Sequence, residues 1–510
     1  MSIPALNILA ALGVGGAILW LYLSPTRVSL HLPPGPKPLP ILGNIRDFMS
    51  LEQLWVLATR WRDQFGDVCY LTVLGQGIVF LNNAEAVTTL LEKRGAIYSD
   101  RPYLVMTNEL IDAGKLIIFE GYNEKFRRQR KLMQHTLGPR SIPAYHPMMR
   151  TETASFIRDL VKDPGEYMDH TRKYAGGLML SVLYGYKATH NGDEFLRLAR
   201  ECMAFLANEV TSGSGVWPVD IFPVLKYLPA WMPGGGFQRK AAYWKKTMRR
   251  LADEPFQHSK TLFDQGVQTV SFCGDALQGG IDAEEDDIKW TASSMYIGSS
   301  ETTISTVSHF LLAIISYPAV LAKLQLEIDT VVGRNRLPDF EDRPNLPYIE
   351  AVLSETWRWG VPAPINLPHR VVEDDVYDGM HIRKGSLVLA NIWAILRDES
   401  IFSDASEFRP ERFLEEKDPQ ILEKMEPRKY IFGFGRRACP GADLVESSIW
   451  LLLVTMVATL DLFKPLDDNG DVIEPDIDYG SNAKFRIPSR FKFDVRFRTS
   501  QAATLMESGQ

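Results

Sequence analysis

A mainly helical fold with a minor β region, preceded by a single N-terminal transmembrane helix, is what this sequence predicts, and three observations predict it. Helical periodicity of apolar residues dominates from residue 45 to residue 510 with no second linker, so one large domain is the economical reading. Short β-branched runs, Asp67 to Leu74 and Ser386 to Ala390, interrupt it as strands. Ala5 to Leu23 is apolar except for Asn7 and carries no charge, and a helix of that length just spans a bilayer's hydrocarbon core.

Each element has a competing reading. A cleaved secretory signal has a basic start, a shorter apolar core and a small-residue cleavage site, whereas here the basic residues, Arg27 and Lys37, follow the apolar run. That order favours a retained anchor over residues 1–25, with the N-terminus lumenal and the rest cytosolic. Residues 26–44 form a proline-rich hinge whose segment LPPGPKPLPILGN, Leu32 to Asn44, is either a semi-rigid spacer that orients the body or a generic linker. Residues 45–510 are expected to form one domain. Within it, Val216 to Gly236 is rich in proline and carries Trp217, Phe222, Tyr227 and Trp231; it either touches the bilayer interface, which aromatics favour, or folds back on the core.

Composition excludes several function classes. Of 510 residues, 45% are hydrophobic and 23% charged, which suits a large folded core. A net charge of -7 with no basic stripe argues against nucleic acid as a partner. The four cysteines, Cys69, Cys202, Cys273 and Cys439, lie far apart, unlike zinc knuckles or redox pairs, and read as reduced thiols.

One of the four stands in a distinctive setting. In FGFGRRACPG, Phe432 to Gly441, the glycines Gly433, Gly435 and Gly441 permit a tight loop to approach a flat cofactor and expose the Cys439 sulfur. Pro440 suits a first helical turn, and Ala442 to Leu460 is apolar nearly all round, hence a buried helix. Its positive end beside Cys439 is expected to lower the thiol pKa toward the thiolate a metal needs. An inert buried cysteine is the bland alternative. Elsewhere, ETWR puts Glu355 and Arg358 three apart on one helical face, a spacing that a surface ion pair explains equally well on its own.

Together these segments resemble the cytochrome P450 family, in particular its fungal, microsomal, basidiomycete-like members. Phe432, Gly435, Arg437, Cys439 and Gly441 match its haem signature. The resemblance implies haem b with Cys439 as the axial iron ligand, and Arg437 as partner to a haem propionate. It implies a charge network of Glu355, Arg358 and Arg412, the last from FRPERF. PAPINLPHR, Pro362 to Arg370, resembles the strand along the haem edge, giving His369 as a second propionate partner and Ala363, Ile365 and Leu367 as cavity wall. YNEKFRRQRK resembles the helix that supplies Phe126 and Arg130; Phe126 stands where the family more often has tryptophan. Its basic residues are also readable as a solvated face or a docking surface for an acidic electron donor.

From Glu284 to Ile315 a long helix is expected, with Asp282, Glu284, Glu285, Asp286 and Asp287 near its start. Inside it, GSSETT, Gly298 to Thr303, breaks an apolar run, and a Thr302 hydroxyl bonded back to the Gly298 carbonyl would open a bend. The resemblance makes Glu301 and Thr302 the proton-delivery pair. Ser299 replaces the usual glycine, and either narrows the oxygen groove or adds a hydroxyl to its water network.

The implied activity is insertion of one oxygen atom from O2 into a small apolar substrate, such as a terpenoid, alkaloid or aromatic xenobiotic. Electrons come from NADPH through cytochrome P450 reductase, with cytochrome b5 as a further donor, on the endoplasmic reticulum membrane. A haem-thiolate isomerase or dehydratase that does not use O2, and a non-catalytic haem carrier, are the alternatives; both leave Glu301 and Thr302 without a task. Tyr296 and Ser481 complete the candidate pocket wall.

Overall fold

In the computed structural model, residues 31–510 are described apart from 49–51, 191, 211–216, 268, 280–282, 481–483 and 509–510. The anchor expected over residues 1–25 lies outside them, as do Asp282 and Ser481. Leu32–Asn44 runs along the first strand: Tyr70 N donates to Pro34 O at 2.9 Å, and Asn44 N to Thr72 O at 2.6 Å.

Helices dominate. Those that build the site are α1 (Glu124–Leu137), α2 (Tyr167–Tyr184), α3 (Glu194–Phe205), α4 (Gly236–Asp264), α5 (Glu285–Ile297), α6 (Ser300–Ser316), α7 (Pro347–Gly360) and α8 (Ala442–Thr459). α1 starts where the Asn123 side chain accepts from Phe126 N, satisfying a donor that the first turn leaves free. α6 packs against α2 and α7, and α5 against α1 and α4. α8 is long and apolar enough to cross a membrane, but Ile449, Trp450, Leu452, Leu453 and Val454 are fully buried among these helices. It is a core helix, as expected from its all-round apolarity.

The sheet is small. β1 (Val68–Val73), β2 (Gln76–Leu81), β3 (His369–Arg370) and β4 (Leu387–Ala390) lie in the order β1, β2, β4, β3. β1 and β2 form a hairpin, Val68 opposite Leu81, closed by Leu74 and Gly75 with φ of 48° and 86°. Two positive φ values in a two-residue turn match the twist of the strands it joins. β2 pairs in parallel with β4, Phe80 opposite Leu389, and β4 antiparallel with β3, Val388 opposite His369. His369 is thereby fixed at the sheet's edge. The expected runs at 67–74 and 386–390 contain β1 and β4.

The aromatic segment after α3 divides. Phe222, Tyr227 and Trp231 are exposed, with Val224 and Met232 among them. Trp217 departs from the exposed reading: it is half-buried, edge-on to Trp244, with its indole N–H on Glu209 O at 3.0 Å.

One buried carboxyl makes stability depend on pH. Glu152, on the helix His146–Lys162, is 5% exposed beside α2, and burial pushes its pKa from 4.5 up to about 7 against the pull of Lys173 and Lys187. The folded state therefore holds this proton more tightly than the unfolded chain. Its contribution to stability is fully present below about pH 4.5 and is lost as pH rises through about 7. Glu152→Gln is expected to gain on the order of 3 kcal/mol over the wild type at pH 8 and little at pH 4.5. Denaturant melts at the two pH values check it; an equal gain at both would rule out titration as the cause.

Candidate active site

The loop Phe432 to Gly441 turns back on itself before α8, and Cys439 N donates to Phe432 O at 2.6 Å. Gly435 has φ of 53°, and a Cβ there would meet Leu91 O at 2.4 Å, so glycine is required both for the turn and for the close approach. Phe432 lies edge-on to Trp357 of α7 at 5.7 Å. A Cβ on Gly441 would lie 4.0 Å from Cys439 Sγ, facing the sulfur. The Cys439 side chain keeps open surface although protein surrounds it so deeply that burial is the leading influence on its thiol. Accessible and deep together describe the wall of an interior space.

The thiol itself departs from expectation. Burial raises its pKa, and the Gly441 N–H and the Arg130 guanidinium, which favour the thiolate, do not reverse that. Desolvation of a charge outweighs the start of α8, so the charge of a bound metal is needed to hold the thiolate.

Around this loop, arginines gather that form no ion pair among the described residues, with Asp100 and Glu120 acting on Arg437 only from farther off. Arg130 donates to Ala438 O at 2.7 Å. Arg437 donates to the carbonyls of Ser99, Ile117 and Glu120, and its guanidinium lies 3.9 Å over the Phe126 ring. Phe126 thus holds Arg437 by its π face, needing no indole N–H. His369 donates Nδ1–H to Tyr98 O at 2.6 Å, which leaves Nε2 for another partner. Arg101 joins them, donating to Leu367 O and Pro368 O while its buried Nε has no partner. Burial lowers Arg101 to about 9 and Arg437 to about 10, and with the charges of Arg101 and Arg437 it holds His369 well below the usual histidine range. Among the described residues none of Arg101, Arg130 and Arg437 forms an ion pair. Arg101 escapes sequence reasoning, a lone arginine ahead of Pro102 outside any motif.

Behind the loop, Glu355 and Arg358 of α7 are fully buried and joined at 2.6 and 2.8 Å; Arg412 reaches Glu355 at 3.2 Å. Arg358 also donates to the carbonyls of Leu396, Ala405 and Glu407. The pair is an interior clamp on the 396–412 segment rather than a surface ion pair.

Opposite features lie at the break between α5 and α6. The single long helix expected over 284–315 is interrupted at Gly298–Ser299. Its cause is not Thr302: Ser299 Oγ donates to Tyr296 O at 2.8 Å and Thr303 Oγ1 to Ser299 O at 2.9 Å, drawing these carbonyls out of the ladder. Ser299's hydroxyl is therefore occupied inside the helix rather than offered to the groove. Thr302 is half-buried, and its hydroxyl has no partner among the described residues. Glu301 faces α2 and α3, its Oε1 3.8 Å from Arg172, in a small pocket with Arg200 and Met203. Burial raises its pKa, partly offset by both arginines. Arg172 continues to Asp169 at 2.6 Å and Asp169 to Arg490 at 2.8 Å, a charged path toward the surface.

Tyr296 is buried, with its hydroxyl on Phe195 O at 2.9 Å, and it lines the small pocket that holds Glu301. Ala363, Ile365 and Leu367 are half-buried. In the basic cluster of α1, Arg127 pairs with Glu124 and Arg128 with Asp287, while Lys131 is exposed and unpaired among the described residues.

Residues 33–481 match the family model described as Cytochrome P450. The chain belongs to the cytochrome P450 family. It is 37% identical over 507 residues to cytochrome P450 monooxygenase claR of Ampulloclitocybe clavipes, covering 98% of this chain and 93% of that one. It is 36% identical to cytochrome P450 monooxygenase 176 of Postia placenta over 93% of this chain and 92% of the relative. With tryptamine 4-monooxygenase of Psilocybe cyanescens it shares 35% identity over 97% and 98%. The chain is thus a P450 monooxygenase, an oxidoreductase of mainly helical fold with small sheets. The family implies haem held by a cysteine thiolate, and this P450's residues fit that group. The accessible Cys439 sulfur, and half-buried arginines that form no ion pair among the described residues, with the buried Arg101 Nε unpartnered, suit an iron ligand and carboxylates such as haem carries.

Proposed function

We propose that this P450 inserts one oxygen atom from O2 into a small apolar substrate, a secondary metabolite such as a terpenoid or alkaloid or an aromatic xenobiotic, with electrons from NADPH passed through cytochrome P450 reductase. The observation that carries this reading is the free Thr302 hydroxyl next to Glu301 at a break in the helix, since an isomerase or haem carrier has no use for a proton relay. Cys439 would hold the haem iron, and Arg101, Arg130, His369 and Arg437 would hold the haem carboxylates; the bound group would supply the dioxygen chemistry.

The remaining work falls to side chains. Burial keeps Glu301 protonated to a higher pH than a free glutamate, so it serves as a proton store, and Arg172 and Asp169 link it outward. The Thr302 hydroxyl, one residue on, hands protons to oxygen while orienting water. Endoplasmic reticulum attachment agrees with the exposed Phe222, Val224, Tyr227 and Trp231, which suit a membrane interface, and Lys131 beside paired neighbours on α1 suits an acidic donor such as the reductase or cytochrome b5.

Thr302→Ala is expected to keep its haem yet form product about tenfold or more slowly per NADPH consumed, the balance appearing as hydrogen peroxide. Glu301→Gln is expected to slow turnover without that leak. Product, NADPH and peroxide are measured with purified enzyme and reductase. Unchanged coupling in Thr302→Ala would remove the relay, and product formed by wild type without O2 would favour the isomerase.

A further inference from the structure

Nearly every cation inside the domain has an evident partner. Arg358 and Arg412 hold Glu355, and the three arginines around the Cys439 loop are the ones that would hold haem carboxylates. Arg397 lies 3.2 Å over the Trp393 ring and donates to Trp359 O. Arg486 lies 3.8 Å over Tyr479 and donates to the carbonyls of Trp359 and Gly360. Lys484 has nothing: among the described residues it forms no hydrogen bond and no ion pair. Burial alone lowers its pKa to about 8, so protein surrounds it, yet the side chain keeps part of its surface open. That is the condition of Cys439, a group on the wall of an interior space.

Its neighbours say which space. Two residues on, Arg486 N donates to Pro362 O at 3.0 Å, and Arg486 O accepts from Ser305 Oγ. Pro362 adjoins Ala363 at the head of the segment that leads to His369, and Ser305 lies one turn beyond Thr302 on α6. The chain two residues from Lys484 is therefore held between the element that bears Thr302 and the element that runs to the cofactor edge. An ammonium is compact and strongly hydrated, and enclosing it without an anion is unfavourable. Methionine would fill the same space without that penalty.

We propose that Lys484 anchors a carboxylate of the substrate, so that this P450 oxidises apolar acids. The inference rests on the monooxygenase reading and names its substrate class. The four-carbon stem lines the apolar part of the cavity while the ammonium meets the anion at one end, leaving the far end of the molecule free to reach the reacting centre. Protonated amines are repelled by the same charge, which would separate this enzyme in substrate from tryptamine 4-monooxygenase despite their similarity.

The test uses the haem-loaded full chain in detergent and reads substrate entry as the ferric low-spin to high-spin shift. The probes are dodecanoic acid, abietic acid and 1-naphthoic acid, each with its methyl ester and the corresponding primary amine. On at least one skeleton the acid is expected to bind about tenfold or more tightly than its ester, and the amine most weakly. Lys484→Met, folded as judged by a normal reduced carbon monoxide band, is expected to bring acid and ester within about threefold, and Lys484→Arg to keep the preference. Equal binding of acid and ester on every skeleton, no spectral response to any probe, or an unchanged preference in Lys484→Met would overturn the proposal. So would recovery of Lys484→Met as folded protein without haem, which would assign the lysine to a haem carboxylate. Failure of oxygen insertion is read separately, as absence of oxygenated product with reductase and NADPH, and leaves the binding comparison interpretable.

Discussion

Arg358→Ala is expected to leave no recoverable haem-bound protein. Its guanidinium makes five hydrogen bonds, two to Glu355 and one each to the carbonyls of Leu396, Ala405 and Glu407, and neither Arg358 nor Glu355 has exposed surface. Removing one partner of a buried pair costs about 3–5 kcal/mol because the remaining charge stays in the interior. Glu355 would retain only Arg412 at 3.2 Å and the Arg409 N–H at 2.8 Å, while three carbonyls lose their donor. Set against a total stability of about 5–15 kcal/mol, that loss alone brings folding close to failure. Trp357, the neighbour of Arg358 on α7, also lies edge-on to Phe432 of the cofactor loop at 5.7 Å. Arg358→Lys should fare little better, since one ammonium with three donors cannot replace a five-donor fork. Haem content after expression and the urea midpoint of any soluble protein provide the check. A variant that retains haem with a midpoint near wild type would show that the clamp is dispensable.

What the sequence made legible were features carried by short spacing. Glu355 and Arg358 are a helical turn apart, the strands at 68–73 and 387–390 show as β-branched runs, and the cysteine loop is contiguous. What it hid depends on tertiary proximity. Arg101 acts by lying against the carbonyls of Leu367 and Pro368, some 266 residues away, and no local pattern marks it. The helix break illustrates a different limit: Ser299, Ser300, Thr302 and Thr303 all carry hydroxyls able to compete for a carbonyl, and only packing decides that Ser299 and Thr303 do so. Freed of that task, Thr302 keeps a hydroxyl for chemistry. The Cys439 thiol was misjudged because a helix start can be seen in sequence and depth of burial cannot.

Cys439→Ala is expected to abolish oxygenation and the thiolate-type Soret band of the reduced carbon monoxide complex. The cause is electronic as well as structural: the anionic sulfur pushes electron density to iron, and no other side chain of the loop offers an anion. Arg130 donates to Ala438 O at 2.7 Å and its charge favours the thiolate, offsetting part of the burial that opposes it. Cys439→His would test the distinction, because it restores a neutral ligand; haem binding with a displaced carbon monoxide band and without product is the expected result. The other cysteines provide the control. Cys69, Cys202 and Cys273 are buried, and burial raises all three thiols, Cys69 to about 12, which keeps them inert. Replacing those three together by alanine or serine should leave the band in place, whereas a thiolate-type band surviving in Cys439→Ala would move the ligand to another sulfur.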